Sequence, residues 1–409
     1  MKKIKMMMAA ALGVLVSCGS VKSGEEVVAA SRDSKVVVAY VTSWSEVMPD
    51  PQYMTHINYA FGHVNESFNG VKIDNEERLR QIVDLRKQKP ELKVLLSIGG
   101  WGSGRFSEMA ANDEYRRAFA ADCDRVVKEF ALDGIDIDWE YPTSSMANIS
   151  SSPDDTENFT LLMQDIRAAI GNEKELTLAT VASARYIDFK AILPSVDFVN
   201  IMAYDMASAP KHHSALYPSG HSGDNTSDGA VTAHLKAGVP PSKLVMGMPF
   251  YGRGGDGYPS FQDYNKVGNT DTQYTEKWDE VAQVPYLADK NDTLVFGFEN
   301  PRSLAIKCQY ILDKDLLGGM YWDYSGDNEQ GDLRRTVAEN LLGKPHKAKV
   351  LVLTERGGQH GGFTDAGLIC LEAEGAKGNF SITQQLNPRN KSEAYLYQFS
   401  LFIQVDFPP

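Results

Sequence analysis

Eight short apolar, β-branched runs recur along the chain, and most are separated by stretches with the spacing of amphipathic helices. The runs are 35–41, 56–61, 92–98, 134–140, 175–182, 196–204, 244–251 and 319–324. Between them, segments such as 113–130 and 156–170 carry apolar residues every three or four positions. Strand and helix alternating this often in one domain favour a closed parallel (β/α)8 TIM barrel, expected over 35–342, rather than an open doubly wound sheet. No glycine-rich phosphate loop follows the first run, which also counts against a dinucleotide fold. The stretch 252–295 is longer than a simple strand-to-helix connection and predicts a small insertion between the seventh and eighth strands.

The chemistry concentrates in Asp133-Gly134-Ile135-Asp136-Ile137-Asp138-Trp139-Glu140. Side chains alternate along a strand, so Asp136, Asp138 and Glu140 share one face and Ile135, Ile137 and Trp139 the other. The outer face of a barrel packs on helices and must be apolar, so the acids point into the lumen. Neighbouring acids on that face have Cα atoms roughly 6.7 Å apart, and at an effective dielectric of about 20 their charges repel by about 2.5 kcal/mol. That is worth roughly two pKa units, so at least one proton is expected to be shared within the trio. Glu140 lies at the C-terminal end of its strand, where barrels place catalytic groups, and a carboxyl kept protonated there can act as a general acid. A calcium loop starting at Asp136 would need Gly and Glu where Tyr141 and Ala147 stand, so calcium is disfavoured.

A formal net charge of −13 counts against nucleic acid or an anionic membrane surface as partner. Lys2, Lys3 and Lys5 precede an apolar run from Met6 to Val16, the charge step and core of a signal peptide, too short to span a bilayer. It ends in Leu15-Val16-Ser17-Cys18, which resembles the lipobox of bacterial lipoproteins. That resemblance implies export, lipid attachment at Cys18, and anchoring at the periplasmic face or cell surface, with 19–34 as a polar tether. The remaining Cys123, Cys308 and Cys370 are odd in number and lack CxxC spacing, so no disulfide framework is expected. His212, His213, His221 and His234 cluster without ligand spacing, and no metal is expected.

After a linker-like 343–349, the segment 350–409 reads as strand (350–354), glycine-rich loop, helix (363–374), strand (380–384) and a final apolar run (399–407). It resembles the opening of a ThuA-like α/β domain. A piece this small leaves sheet edges without partners, and we expect it to be truncated relative to its relatives.

Asp133 to Pro142, DGIDIDWEYP, resembles the signature of glycoside hydrolase family 18, the retaining chitinases and their relatives. Further matches are Ser97-Ile98-Gly99-Gly100-Trp101, Met202-Ala203-Tyr204-Asp205, Pro249-Phe250-Tyr251-Gly252-Arg253 and Gly319-Met320-Tyr321-Trp322, each at an expected strand end. The resemblance implies hydrolysis of β-1,4-linked N-acetylglucosamine polymers, with the substrate's acetamide oxygen as nucleophile and no cofactor. It assigns Glu140 as acid/base, Asp138 as the group that orients and stabilises the acetamide, and Asp136 as a partner sharing its proton. Tyr204 would hydrogen-bond the acetamide carbonyl, while Asp205 and Arg253 would contact sugar near the cleavage point. Trp322 would floor the subsite of the distorted sugar, with Tyr40, Phe61, Trp101, Met202 and Tyr251 lining the rest. Ala39 stands where many relatives have Gly, and the short insertion suggests a low cleft wall and an endo-acting or short-oligomer enzyme; a monomer is expected. Two other functions fit the same residues: an endo-β-N-acetylglucosaminidase acting on N-glycan chitobiose cores, and a non-catalytic sugar-binding surface protein.

Overall fold

Strands β1 (Val36–Thr42), β2 (His56–Val64), β3 (Val71–Ile73), β4 (Lys93–Gly99), β5 (Gly134–Asp138), β6 (Glu175–Val181), β7 (Phe198–Met202) and β8 (Leu244–Pro249) come first. After β8 follow β9 (Tyr251–Gly254), β10 (Gln262–Asp263), β11 (Thr275–Asp279), β12 (Val284–Ala288) and β13 (Leu294–Gly297), and then β14 (Gly318–Trp322). The computed structural model describes residues 35–255, 258–267 and 273–343, and the backbone of 347–353 and 368–374. Eight parallel strands run in the order β1-β2-β4-β5-β6-β7-β8-β14, and β14 pairs back on β1 to close the barrel. The short β3 is added antiparallel to β2. Each expected run lies on one of these eight strands. The expected insertion is a five-stranded antiparallel sheet in the order β10-β9-β13-β12-β11.

Helices α1 (Glu76–Val83), α2 (Phe106–Ala111), α3 (Asp113–Glu129), α4 (Asp155–Ile170), α5 (Phe189–Ile192), α6 (Ser227–Lys236), α7 (Pro301–Asp313) and α8 (Asp332–Leu341) lie between the strands. Their starts are chemically marked. The Asn112 side chain accepts from the Tyr115 amide to cap α3, and Asn300 and Ser303 form a reciprocal capping box on α7, with Pro301 in its first turn. Alternation along the strands then divides the apolar residues. Ile135, Ile137, Leu176 and Leu178 belong to the large layer shared with helix residues such as Phe119 and Leu162. Val38, Tyr40, Phe198, Val245 and Met320 fill the lumen. Each such aliphatic side chain contributes on the order of 1.5–3 kcal/mol by leaving water.

Among the described residues one ion pair is fully buried: the Lys307 Nζ of α7 donates to Glu299 and to the Ser214 carbonyl, tying the helix to the loop that follows β7. Cys123 and Cys308 are buried free thiols. Beyond the barrel, β15 (Lys347–Leu353) pairs antiparallel with β16 (Leu368–Glu374). The second of these corrects an expectation, since β16 lies within 363–374, where a helix was expected, while β15 overlaps the strand expected over 350–354. Leu368-Ile369-Cys370-Leu371 is a short apolar run, and periodicity alone does not separate strand from helix in such a run. The signal-like start, the tether, Cys18, and the strand and apolar run expected after 375 lie outside the described residues. No helix among the described residues is long and apolar enough to cross a membrane.

Candidate active site

The acidic ladder is built by β5 and its neighbours. β5 pairs with β4 up to Gly99 opposite Asp138, and there the backbones crowd together. A Cβ on Gly99 would stand 2.0 Å from the Asp138 carbonyl oxygen, and one on Gly100 would stand 2.7 Å from the Phe61 ring. With φ of +134° and +91°, both positions require glycine. On the outer face Ile135 and Ile137 are fully buried, and Trp139 stacks on Phe106 at 5.3 Å and meets Phe159 edge-on at 6.0 Å. That packing fixes which way the acids point.

Asp136, at the bottom, is fully buried and accepts from four donors on four other strands. Tyr40 Oη and Ser97 Oγ each approach Oδ2 at 2.8 Å, while Thr177 Oγ1 at 2.6 Å and Asn200 Nδ2 at 3.3 Å serve Oδ1. Burial raises its pKa, and the four donors offset only part of the rise. Asp138 is the next rung, buried, with no hydrogen-bond partner for its Oδ1. Its burial, and then the charges of Glu140 and Asp136, push its pKa well above the carboxylate range. Glu140 lies two residues past the end of β5, so the pairing stops before the last acid while the alternation continues. Its Oε2 accepts from Tyr141 Oη at 2.9 Å. Burial raises the Glu140 pKa to about 7, with the Tyr141 bond opposing and the Asp205 charge adding to the rise. Burial thus favours the protonated form at each rung, and the close spacing makes the carboxyls titrate as interacting groups.

Above them opens a cleft of about 960 Å³. Eleven of the twelve expected side chains line it, and Asp136 lies beneath. Trp322 stacks on Phe61 at 5.5 Å and tilts against Tyr40 at 5.6 Å, making a flat apolar wall from β14, β2 and β1. Trp101, on the loop after β4, is 62% exposed. Met202 ends β7, Tyr204 lies just past it and Tyr251 begins β9, the two tyrosines packed edge to face at 6.1 Å. The Tyr204 hydroxyl donates to the Met320 sulfur at 3.8 Å, a weak acceptor that a better one can displace. Asp205 receives two bonds of 2.6 Å from Arg253. Burial works to raise the Asp205 pKa, but Arg253 and His213 hold it well below the usual range. Its carboxylate is thus a fixed negative charge.

Sequence reasoning missed several participants. Ser97, Thr177 and Asn200 sit at inward-facing positions of their strands, so parity could have found them. Trp44, just past β1, lines the cleft with rings 6.3 Å from Phe61 and 6.5 Å from Trp322, and its position at a strand end was the available signal. Tyr141, Phe261 and His213 carry no such signal. The four clustered histidines disperse: His212 pairs with Asp279 near His221, His213 with Asp205, and His234 with Thr180. Among the described residues no group of three or more His, Cys, Asp or Glu could hold a metal ion.

Comparison with known proteins agrees with this geometry. The family model for glycosyl hydrolases family 18 matches residues 36–327. Chitinase A1 of Niallia circulans is 30% identical over 74% of this chain, although the match spans only 58% of that chitinase's own length. Chitotriosidase-1 of Mus musculus is 31% identical, covering 72% of this chain and 74% of its own. A solved family 18 N-acetylglucosaminidase from Paenibacillus barengoltzii superposes with a TM-score of 0.69 at 32% identity, covering 75% of this chain and 99% of the other. With the barrel, the ladder and the strand-end aromatics in one arrangement, the chain belongs to glycosyl hydrolases family 18.

Proposed function

We propose that the chain is a retaining glycosidase that hydrolyses β-1,4-linked N-acetylglucosamine, in chitin or chitooligosaccharides, by substrate-assisted catalysis. The observation that carries this reading is the graded ladder: Asp136 pinned by four donors, Asp138 unpartnered at Oδ1, and Glu140 at the cleft with its pKa near 7. A protonated Glu140 can donate to the glycosidic oxygen as that bond breaks. The acetamide oxygen of the same sugar then attacks the anomeric carbon and forms an oxazolinium ion. Asp138 lies where a negative group can orient the acetamide N–H and offset the developing positive charge, and Asp136 shares its proton as that charge appears. Tyr204 turns from the Met320 sulfur to the acetamide carbonyl. Glu140, now ionised, takes a proton from the water that opens the ring, so the anomeric configuration is retained. Trp322, with Phe61 and Tyr40 beside it, offers a flat face to the C–H groups of the distorted sugar.

The chitinase names of the sequence relatives support a chitin-type substrate. The charged start, apolar core and lipobox-like Cys18 support an exported enzyme held at a membrane face by lipid.

Labelled chitooligosaccharides and an N-glycoprotein, each treated with wild type and Glu140→Gln, test the reading. Wild type should shorten the oligosaccharides with retention, and the variant should bind them while losing about 10²–10⁴ in rate. Release of intact glycans without action on chitooligosaccharides would overturn the substrate, and unimpaired turnover by the variant would overturn the mechanism.

A further inference from the structure

The insertion sheet uses most of its aromatic residues internally. Phe296 and Phe298 form its apolar centre with Leu287, and Tyr258, Tyr264 and Tyr274 pack against them. Phe261, just before β10, stands outside that cluster and is 43% exposed, yet it lines the same cleft as Glu140. One face of its ring is taken, stacked on Tyr251 with centroids 4.7 Å apart and planes 26° from parallel. The Arg253 guanidinium lies 5.3 Å from the centroids of both rings and is held by Asp205, so the Phe261 ring is set in place before any ligand arrives. Its other face adds an apolar surface to the lining of the cleft beside Glu140.

Barrel order shows what it faces. β4 and β8 are four strands apart in a closed ring of eight, hence on opposite sides of the mouth. Trp101 rises from the loop after β4, and Phe261 from the sheet that leaves β8. The cleft thus carries an exposed aromatic ring on each of two opposite sides, in addition to the apolar surface made by Trp322, Phe61 and Tyr40. The substituents of a β-1,4-linked N-acetylglucosamine ring are equatorial, so each sugar presents C–H groups on both faces and can lie against a ring on either side.

We propose that Phe261 is a sugar-binding platform, gripping a pyranose of the chain from the wall opposite Trp101 and setting how tightly the cleft holds longer oligosaccharides. This rests on reading the cleft as a site for N-acetylglucosamine polymers. The test uses the full chain carrying Glu140→Gln, so that binding is read without turnover, and chitohexaose as the probe. Adding Phe261→Ala should weaken binding about threefold to tenfold, the range expected for one aromatic stacking contact. Phe261→Tyr should restore the affinity, and Phe261→Leu should not, because leucine keeps apolar bulk but lacks a flat face. In otherwise unaltered enzyme, Phe261→Ala should raise KM for chitohexaose by the same factor and leave kcat within about twofold. Unchanged affinity in Phe261→Ala, or full recovery by Phe261→Leu, would overturn the proposal while wild-type turnover of chitohexaose still upheld the enzyme's function. Absence of any chitohexaose binding or turnover in the parent proteins would overturn both.

Discussion

Replacing Tyr141 by Phe changes one hydrogen bond and little else. The ring stacks on Tyr186 at 5.5 Å with planes 17° from parallel, and phenylalanine keeps that contact. What is lost is the phenolic donor, 2.9 Å from the Glu140 carboxylate. A hydrogen bond to a charged group is worth about 1.5–3 kcal/mol, and the neutral acid keeps part of it, so the difference between protonation states is on the order of 1.4 kcal/mol, about one pKa unit. The bond favours the ionised form, so its loss raises the proton affinity of a group whose pKa already stands at about 7. Glu140 must be protonated to act as the acid, so activity falls as pH rises through that pKa, and the alkaline limb should move upward by about one pH unit. The assay is kcat/KM for a chitooligosaccharide at constant ionic strength from about pH 5 to about pH 10, which reports the free enzyme. A limb that stays in place or moves to lower pH would refute the assignment of Glu140 as the titrating acid.

Asp138→Asn should cost rate and gain stability. A carboxyl whose folded pKa is raised opposes folding at pH values above its unfolded pKa, so removing it should stabilise the protein at neutral pH. The gain should fade as pH falls below about 3.9, where the carboxyl is protonated in both states; denaturant midpoints at neutral and acid pH check this, and an equal midpoint at neutral pH refutes it. Lys307→Met leaves Glu299 charged and buried without its cation, and should lower unfolding free energy by about 3–5 kcal/mol. Adding Glu299→Leu should recover most of that loss, and a single-variant loss under about 1 kcal/mol would contradict the reading.

The barrel was legible because its strands are apolar runs with turn residues between, and the ladder because Asp136, Asp138 and Glu140 alternate with Ile137 and Trp139. Parity along one strand also implies which neighbours face the lumen, so Thr177 and Asn200 were recoverable in principle. The insertion was legible only as a length, since its hairpins carry no strict alternation. Tyr141 on Glu140 and His213 on Asp205 depend on loop paths that no local pattern encodes. The cis peptides Ala60–Phe61, Glu140–Tyr141 and Trp322–Asp323, all beside the cleft, likewise leave no trace in residue type. The helix expected over 363–374 failed where an apolar run was too short for its period to be read.

Asp136 binds the order of assembly as well as the site. Its four donors come from β1, β4, β6 and β7, so its desolvated carboxyl cannot be satisfied until chain from Tyr40 to Asn200 has come together. A partly folded chain holding fewer of those staves would carry a buried acid with too few contacts, which disfavours stable stopping points on the way to closure. The chemistry of the ladder and the docking of those four staves are thereby tied together, so a chain in which any one of them is unseated also lacks a properly held Asp136.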